Sequence, residues 1–456
     1  MLHGPNANPG IRRPDTVDMK IRPTLPGLLR ALRHRNYRLF FLGQSISLVG
    51  TWMSRIATAW LVWRLTHSPA MLGLIGFAGQ LPTLLFASVA GVWVDRLNRH
   101  RLLVATQILA MLQSFALAAL VLTDAVEVWE IFALQMFQGL INAFDMPTRQ
   151  SLLIDLIEDK TDLSNAVALN SSMVNATRLI GPSVAGVLIA WVGEGWCFLA
   201  DGVSYLAVIG TLLAMQVSLR PGIRTGKRVL HDLRDGLRYA FEFTPIRAIL
   251  MLLALLGLAG IPYRVLMPMI ASQTLHGDAH TLGFLMGAMG VGALFGALYL
   301  ASRTSVLGLG RLIPYAATTF GIGLIGVGLS RWYPLSLLLM VVTGFGFMVH
   351  LAASNTLIQT LVREEMRGRV MALYTMAFMG MATFGSLLAG AVAVYMGAPR
   401  TLMAGGFVCI LGAVVFHYKL PALREQARPV YHAKGILPEV TETVGEATTL
   451  REKVEQ

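Results

Sequence analysis

The sequence predicts an all-α polytopic membrane protein with twelve transmembrane helices in two six-helix halves, and three observations carry this. Of its 456 residues, 55% are apolar and only 14% charged, where soluble domains carry roughly a quarter charged residues. The apolar character recurs in block after block of about 20 residues, the length that crosses a hydrocarbon core as a helix. Residues 153–193 also slide onto 357–397 at a constant offset of 204 with no gap. Leu153, Ala168, Gly181, Gly186 and Gly193 then meet Leu357, Ala372, Gly385, Gly390 and Gly397, the mark of parallel repeats with a binding site between the halves.

The elements follow in order. Residues 1–38 form an amino-terminal tail rich in Pro, Gly and Arg, without the short apolar core of a removable signal peptide. Within it, residues 28–38 set Leu28, Leu29 and Leu32 among five basic side chains. That pattern suits an interfacial helix against anionic headgroups, or equally a juxtamembrane stop signal. The first half, 39–217, holds spans at 39–63, 71–94, 102–123, 128–150, 166–192 and 196–217. A linker at 218–247 contains the amphipathic run Leu230 to Phe243. The second half, 248–418, holds spans at 248–271, 281–302, 312–330, 334–361, 369–396 and 399–418, and a polar tail closes the chain at 419–456. Pro82, Pro182, Pro262 and Pro268 fall inside spans, where neighbouring helices can satisfy the freed carbonyls.

All but six of the 37 Lys and Arg residues lie in tails and loops on one side of this topology. The exceptions are Arg64, Arg331 and Arg400 on the other side and Arg55, Arg178 and Arg264 within spans. The bias places both termini in the cytoplasm and the protein in the cell membrane. It also accounts for the net charge of +12 without nucleic acid as a partner. Cys197 and Cys409 fall inside spans, so neither a disulfide nor a metal site is expected. No Gly-x-Ser-x-Gly, His-Glu-x-x-His or phosphate-binding loop occurs. The sequence therefore predicts no enzyme, no catalytic residue, no metal and no cofactor.

Polar side chains inside apolar spans belong to packed interfaces or watery cavities, because lipid exposure costs several kcal/mol. In span 1, Gln44, Ser47, Thr51, Arg55 and Thr58 share one face; in span 4, Gln135, Gln138, Asn142, Asp145 and Arg149 do. Span 5 adds Ser171, Asn175, Arg178 and Pro182. Span 10 is less regular, with His350 on one face and Asn355 with Gln359 on the next. Arg55 lies too deep to reach the interface and needs an anionic ligand or a salt bridge. Asp145 and Arg149 are spaced for an ion pair. Asp201 and Arg264, near the distal ends of their spans, read as hydrated interfacial charges. His350 is a candidate proton carrier or a packing residue. Gln107 and Gln113 of span 3 share no face and read as packing. Gln44, Thr51, Arg55, Gln138, Asn142, Asp201, His350 and Asn355 are the candidate cavity or coupling residues.

After span 2 comes Gly91-Val92-Trp93-Val94-Asp95-Arg96-Leu97-Asn98-Arg99-His100-Arg101. Its ordered glycine, acid and basic cluster resembles the gating motif of the major facilitator superfamily, with Asn98 and His100 departing from the usual residues. Arg178, Gly181, Pro182 and Gly186 in span 5 are similar to a signature of its exporting antiporters, with Ala185 where glycine is usual. Residues 143–150 and 367–370 look like the bacterial branch that includes the enterobactin exporter. The resemblance covers about residues 30–418. It implies the major facilitator fold and alternating access. The implied function is proton-coupled export of a small amphiphilic organic molecule such as a siderophore or drug across the bacterial cytoplasmic membrane; the sequence leaves the oligomeric state open, with a monomer favoured. A uniporter or lipid flippase on the same fold is the alternative. It further implies that Gly91, Asp95, Arg96, Arg99 and Arg101 form a gate, with Asp95 at the start of span 11 near Gly368. Arg99 would pair with Asp145, in competition with Arg149. Gly181, Pro182 and Gly186 are expected to pack span 5 on Gly292 and Gly296 of span 8.

Overall fold

The computed structural model describes residues 29–94, 97–157, 159–216, 229–303 and 305–436. Hydrocarbon offers the backbone no hydrogen-bonding partner, so apolar segments of this length resolve as helices, and the described residues contain no strand. The first six are α1 (Arg35–Thr66), α2 (Pro69–Val94), α3 (Arg99–Leu122), α4 (Val128–Asp155), α5 (Leu163–Val192) and α6 (Glu194–Leu213). A linker helix, Val229–Glu242, precedes α7 (Thr244–Thr274), α8 (Ala279–Ala301), α9 (Leu309–Leu329) and α10 (Tyr333–Leu361). The last two, α11 (residues 367–396) and α12 (residues 398–433), are divided by Gly397, whose φ of 76° turns the chain.

Among the described residues, nine helical stretches are long and apolar enough to cross a membrane, the last of them containing both α11 and α12. At 32 and 28 residues α1 and α4 are also long enough, but their polar stripes dilute their apolarity. The arrangement is consistent with the twelve predicted spans. The helices outrun the predicted boundaries, however: α1 begins at Arg35 and α12 runs on to Ala433.

The connections on the side away from the chain ends, here the distal side, are tight. Five turn on a residue with positive φ: His67, Asp124, Gly193, His276 and Gly397. Near two of these turns, at Asp124 and Gly193, and at the head of α10 stand exposed tryptophans, Trp129, Trp191, Trp196 and Trp332, as expected of an interfacial aromatic belt. Leu85, Leu213, Phe407 and Leu338 are among many large apolar side chains left exposed between the two faces, a surface suited to lipid.

The basic segment of the amino-terminal tail makes ion pairs with the protein. Arg30, Arg33 and His34 all pair with the Asp162 carboxylate, which is fully buried. Arg33 also reaches Asp159 at 3.2 Å, and Tyr37 donates a hydrogen bond to the Ala166 carbonyl at 2.9 Å. The acidic turn between α4 and α5 holds these carboxylates fixed in place. The Thr161 amide and hydroxyl, both donating to Asp159, and the charges of Arg33 and Arg30 hold that carboxyl below its usual range. A depressed carboxyl favours the folded state above its ordinary titration range and loses that contribution as pH falls through the depressed value, so the clamp persists at neutral pH. Asp162→Ala should release it, with trypsin cutting after Arg30 and Arg33 on the order of tenfold faster than in wild type. Equal cleavage rates would show that the ion pairs do not hold the segment.

On the same side, Arg369 at the head of α11 pairs with Asp235 of the linker helix at 3.1 Å, and the Arg363 amide donates to Tyr239 at 3.3 Å. Lys434, just past α12, donates to the Thr360 carbonyl at 2.7 Å. The linker and the end of α12 thus strap the α10–α11 connection.

Candidate functional site

The polar face of α1 is divided by depth. Gln44, Ser47 and Thr58 are buried against neighbouring helices; Gln135 of α4 donates to Thr58 at 3.3 Å, and Thr51 lies 3.5 Å from the Tyr205 hydroxyl of α6. These are packing contacts. In α4, Gln138 donates to Asn142 one turn on at 3.3 Å. Arg55 differs from the rest of its face, being exposed although it stands inside the bundle.

The guanidinium of Arg55 lies 4.8 Å from the ring centre of Trp52, and that of Arg178, from α5, lies 5.3 Å from the same ring. Arg264 of α7 lies over Tyr263 at 5.8 Å and donates to its hydroxyl at 3.2 Å. Trp52, Arg178, Tyr263 and Arg264 line one narrow crevice between the halves, with Met286, Met289 and Phe347. Arg264 is therefore not a hydrated interfacial charge: the π-helical segment Leu256–Gly260 and Pro262 shift the face of α7, turning it inward. The three span arginines, unrelated in sequence, share one electrostatic neighbourhood.

Both span carboxylates are held by α3. Asp145 is buried, pairs with Arg149, and accepts from Gln107 at 2.6 Å and Thr106 at 3.1 Å. Asp201 is 2% exposed and accepts from Ser114 at 2.8 Å, while its other oxygen, against α1 at Gly50, has no hydrogen-bond partner. Interfacial hydration of Asp201 is thus overturned, because α1 and α3 cover it. Gln107 makes the helix-to-helix packing contact expected of it, but its partner is a span carboxylate. The pairs Thr106-Gln107 and Gln113-Ser114 repeat at seven residues, two turns of helix, and that repeat was the available signal. His350 is buried with Nδ1 3.3 Å from the Ile313 carbonyl of α9, and Asn355 accepts from Gln359 at 2.6 Å.

The two halves meet along two pairs of helices. A Cβ on Gly186 of α5 would stand 2.9 Å from the Gly283 Cα of α8, and one on Gly390 of α11 would stand 2.8 Å from the Gly73 Cα of α2. These backbone contacts close the distal side. They are also repeat-related, since Gly186 and Gly390 are 204 residues apart, as are the turn residues Gly193 and Gly397. Gly181 packs on Trp52, and its counterpart Gly385 on Leu258 of α7. The expected partner face on α8 is corrected: Gly283, Gly287 and Gly290 meet α5, whereas Gly292 and Gly296 meet Val341 and Phe345 of α10. Five residues from Gly287, Gly292 has rotated by more than a third of a turn.

At the opposite end, Gly91 of α2 and Gly368 of α11 face open space. Asp95 and Arg96 lie outside the described residues. Arg99 pairs with Asp155 at 2.8 Å and not with Asp145, which is committed to Arg149 deeper in α4. Asn98 caps α3 by accepting from the Arg101 amide at 3.2 Å, and the Arg101 side chain is exposed.

Residues 27–447 match the family described as transmembrane secretion effectors. The chain is 26% identical to the staphyloferrin A transporter of Staphylococcus aureus over 84% of its own length and 95% of that protein. It is 26% identical to the multidrug efflux pump Tap of Mycolicibacterium fortuitum over 82% and 93% of the two chains. To the enterobactin exporter EntS of Escherichia coli it is 25% identical over 90% and 95%. Among solved structures, a bacterial homologue of the human lysosomal transporter Spinster superimposes with a TM-score of 0.63 at 14% identity, covering 87% of this chain and 98% of that one. The nucleoside transporter NupG gives 0.68 at 12%, covering 85% and 99%.

Proposed function

We propose that this chain, which belongs to the transmembrane secretion effectors of the major facilitator superfamily, exports a small amphiphilic organic molecule across the bacterial cytoplasmic membrane in exchange for protons. The observation that carries the reading is the crevice between the halves, shut on the distal side by Gly186 on Gly283 and Gly390 on Gly73, with no comparable glycine contact at Gly91 or Gly368 among the described residues. With both termini cytoplasmic, that is the loading state of an exporter. Relatives named for siderophore and drug transport support the substrate class.

Asp201 is our choice for the coupling proton. Asp145 is neutralised by Arg149, and His350 is turned to α9, whereas Asp201 has no counterion within ion-pair distance among the described residues, faces Ser54 on the α1 side and lies within the field of Arg55. Candidate siderophores, dyes, antibiotics and lipids should be tested for movement in inverted vesicles with and without a protonophore. Protonophore-sensitive export of a solute is expected, and Asp201→Asn should remove its dependence on the pH gradient while sparing solute exchange. Protonophore-insensitive movement would indicate a uniporter, and movement of lipid alone a flippase.

A further inference from the structure

We propose that the inter-half crevice binds an organic polyanion, carrying two or three acid groups on an apolar body, through Arg55, Arg178 and Arg264. This rests on the exporter reading and names its substrate class. The three arginines are the only Lys or Arg residues within the predicted spans away from the span ends, where Arg149, Arg369 and Arg400 stand, and they come from three helices and both halves. Among the described residues, no carboxylate lies within ion-pair distance of any of them. Asp201 is felt by Arg55, but its carboxylate is fixed by Ser114 on the side toward α3. Arg178 Nε is buried with no hydrogen-bond partner at all.

Three like charges without counterions repel one another and cost free energy inside a membrane, and walls of low dielectric focus their field on whatever enters. A single small anion would neutralise one of them. A molecule with several acid groups would satisfy all three, and its body would lie against Trp52, Tyr263 and Phe347. Since Arg264 belongs to the second half and the others to the first, such a ligand would draw the halves together around itself. Binding is thereby linked to the movement that transport requires.

The test uses two dyes on one xanthene skeleton, carboxyfluorescein as the polyanion and rhodamine 6G as the cation, with the full chain in lipid nanodiscs. Fluorescence anisotropy should show carboxyfluorescein bound and displaced by citrate but not by equal acetate. Arg55→Gln, Arg178→Gln and Arg264→Gln should each weaken it roughly tenfold, the scale of one charged hydrogen bond, without weakening rhodamine 6G. Arg178→Lys keeps the charge and should restore most of the loss, which a merely misfolded variant would not. Equal affinity for the two dyes, or equal loss of both in the variants, would overturn the proposal. Flux in inverted vesicles separates the two readings. Export of rhodamine 6G without binding of carboxyfluorescein overturns the polyanion site and leaves the exporter intact. Binding of carboxyfluorescein with the same variant pattern, but no flux of any solute, supports the site and tells against the exporter.

Discussion

Gly283→Leu is expected to force the distal gate open and to cut transport at least tenfold. A Cβ at Gly283 would lie 2.6 Å from both the Gly186 Cα and the Pro182 carbonyl oxygen. Both are backbone atoms, which cannot swing aside as a side chain would, so α5 and α8 must separate. Overpacking of this kind costs about 1–3 kcal/mol, and the conformation with the gate closed bears that cost while one with the gate open escapes it. The population should shift toward the distally open form by roughly tenfold to a hundredfold. Spin labels at the distal ends of α5 and α8 would report a longer distance, and vesicle flux the lost turnover. Gly292→Leu on the same helix meets α10 within its own half and should leave that distance unchanged. An unaltered distance in Gly283→Leu would show that the glycine contact does not set the gate.

Asp145→Ala is expected to be the most destabilising single change in the first half. Its carboxylate serves Arg149, Gln107 and Thr106 together, at 3% exposure. Removing it leaves the partly buried Arg149 guanidinium without its counterion and the buried Gln107 amide without its acceptor, whereas Thr106 keeps the Leu103 carbonyl; breaking a buried pair by one partner costs up to about 3–5 kcal/mol. Arg149 already contributes to the positive field at Arg55, so its loss of a counterion adds repulsion. Heating the detergent-purified protein should give early loss of the monodisperse species. Asp145→Asn should fall between Ala and wild type, since its amide oxygen still accepts from Gln107. Melting of Asp145→Ala alongside wild type would mean that Arg149 finds another partner.

Periodicity exposed the polar stripes of α1 and α4, and the ion pair of Asp145 with Arg149 followed from a spacing of four. Neither revealed that most of the α1 stripe is packing and that Arg55 alone is exposed. A stripe fixes a face but not what covers it. The same gap explains Arg99, whose partner Asp155 is chosen by how α3 and α4 end, and the basic tail, whose pairing with Asp162 no local pattern announces. Pro182 and Gly186 do pack on α8, but on a different glycine row, and Gly181 packs on Trp52 of α1 instead.

By itself the sequence determined the membrane helices, their alternation and the repeat at 204 residues. These depend on hydrophobic length, on loop charge and on glycines that recur at fixed offset, all of which are local or one-dimensional. Only the tertiary structure decided that Arg55, Arg178 and Arg264 converge, that α3 holds both acids, and which side of the bundle is closed. Each of those depends on rotation of one helix about its axis relative to another. A π-helical turn or a proline in α7 changes that rotation without changing the hydrophobic pattern.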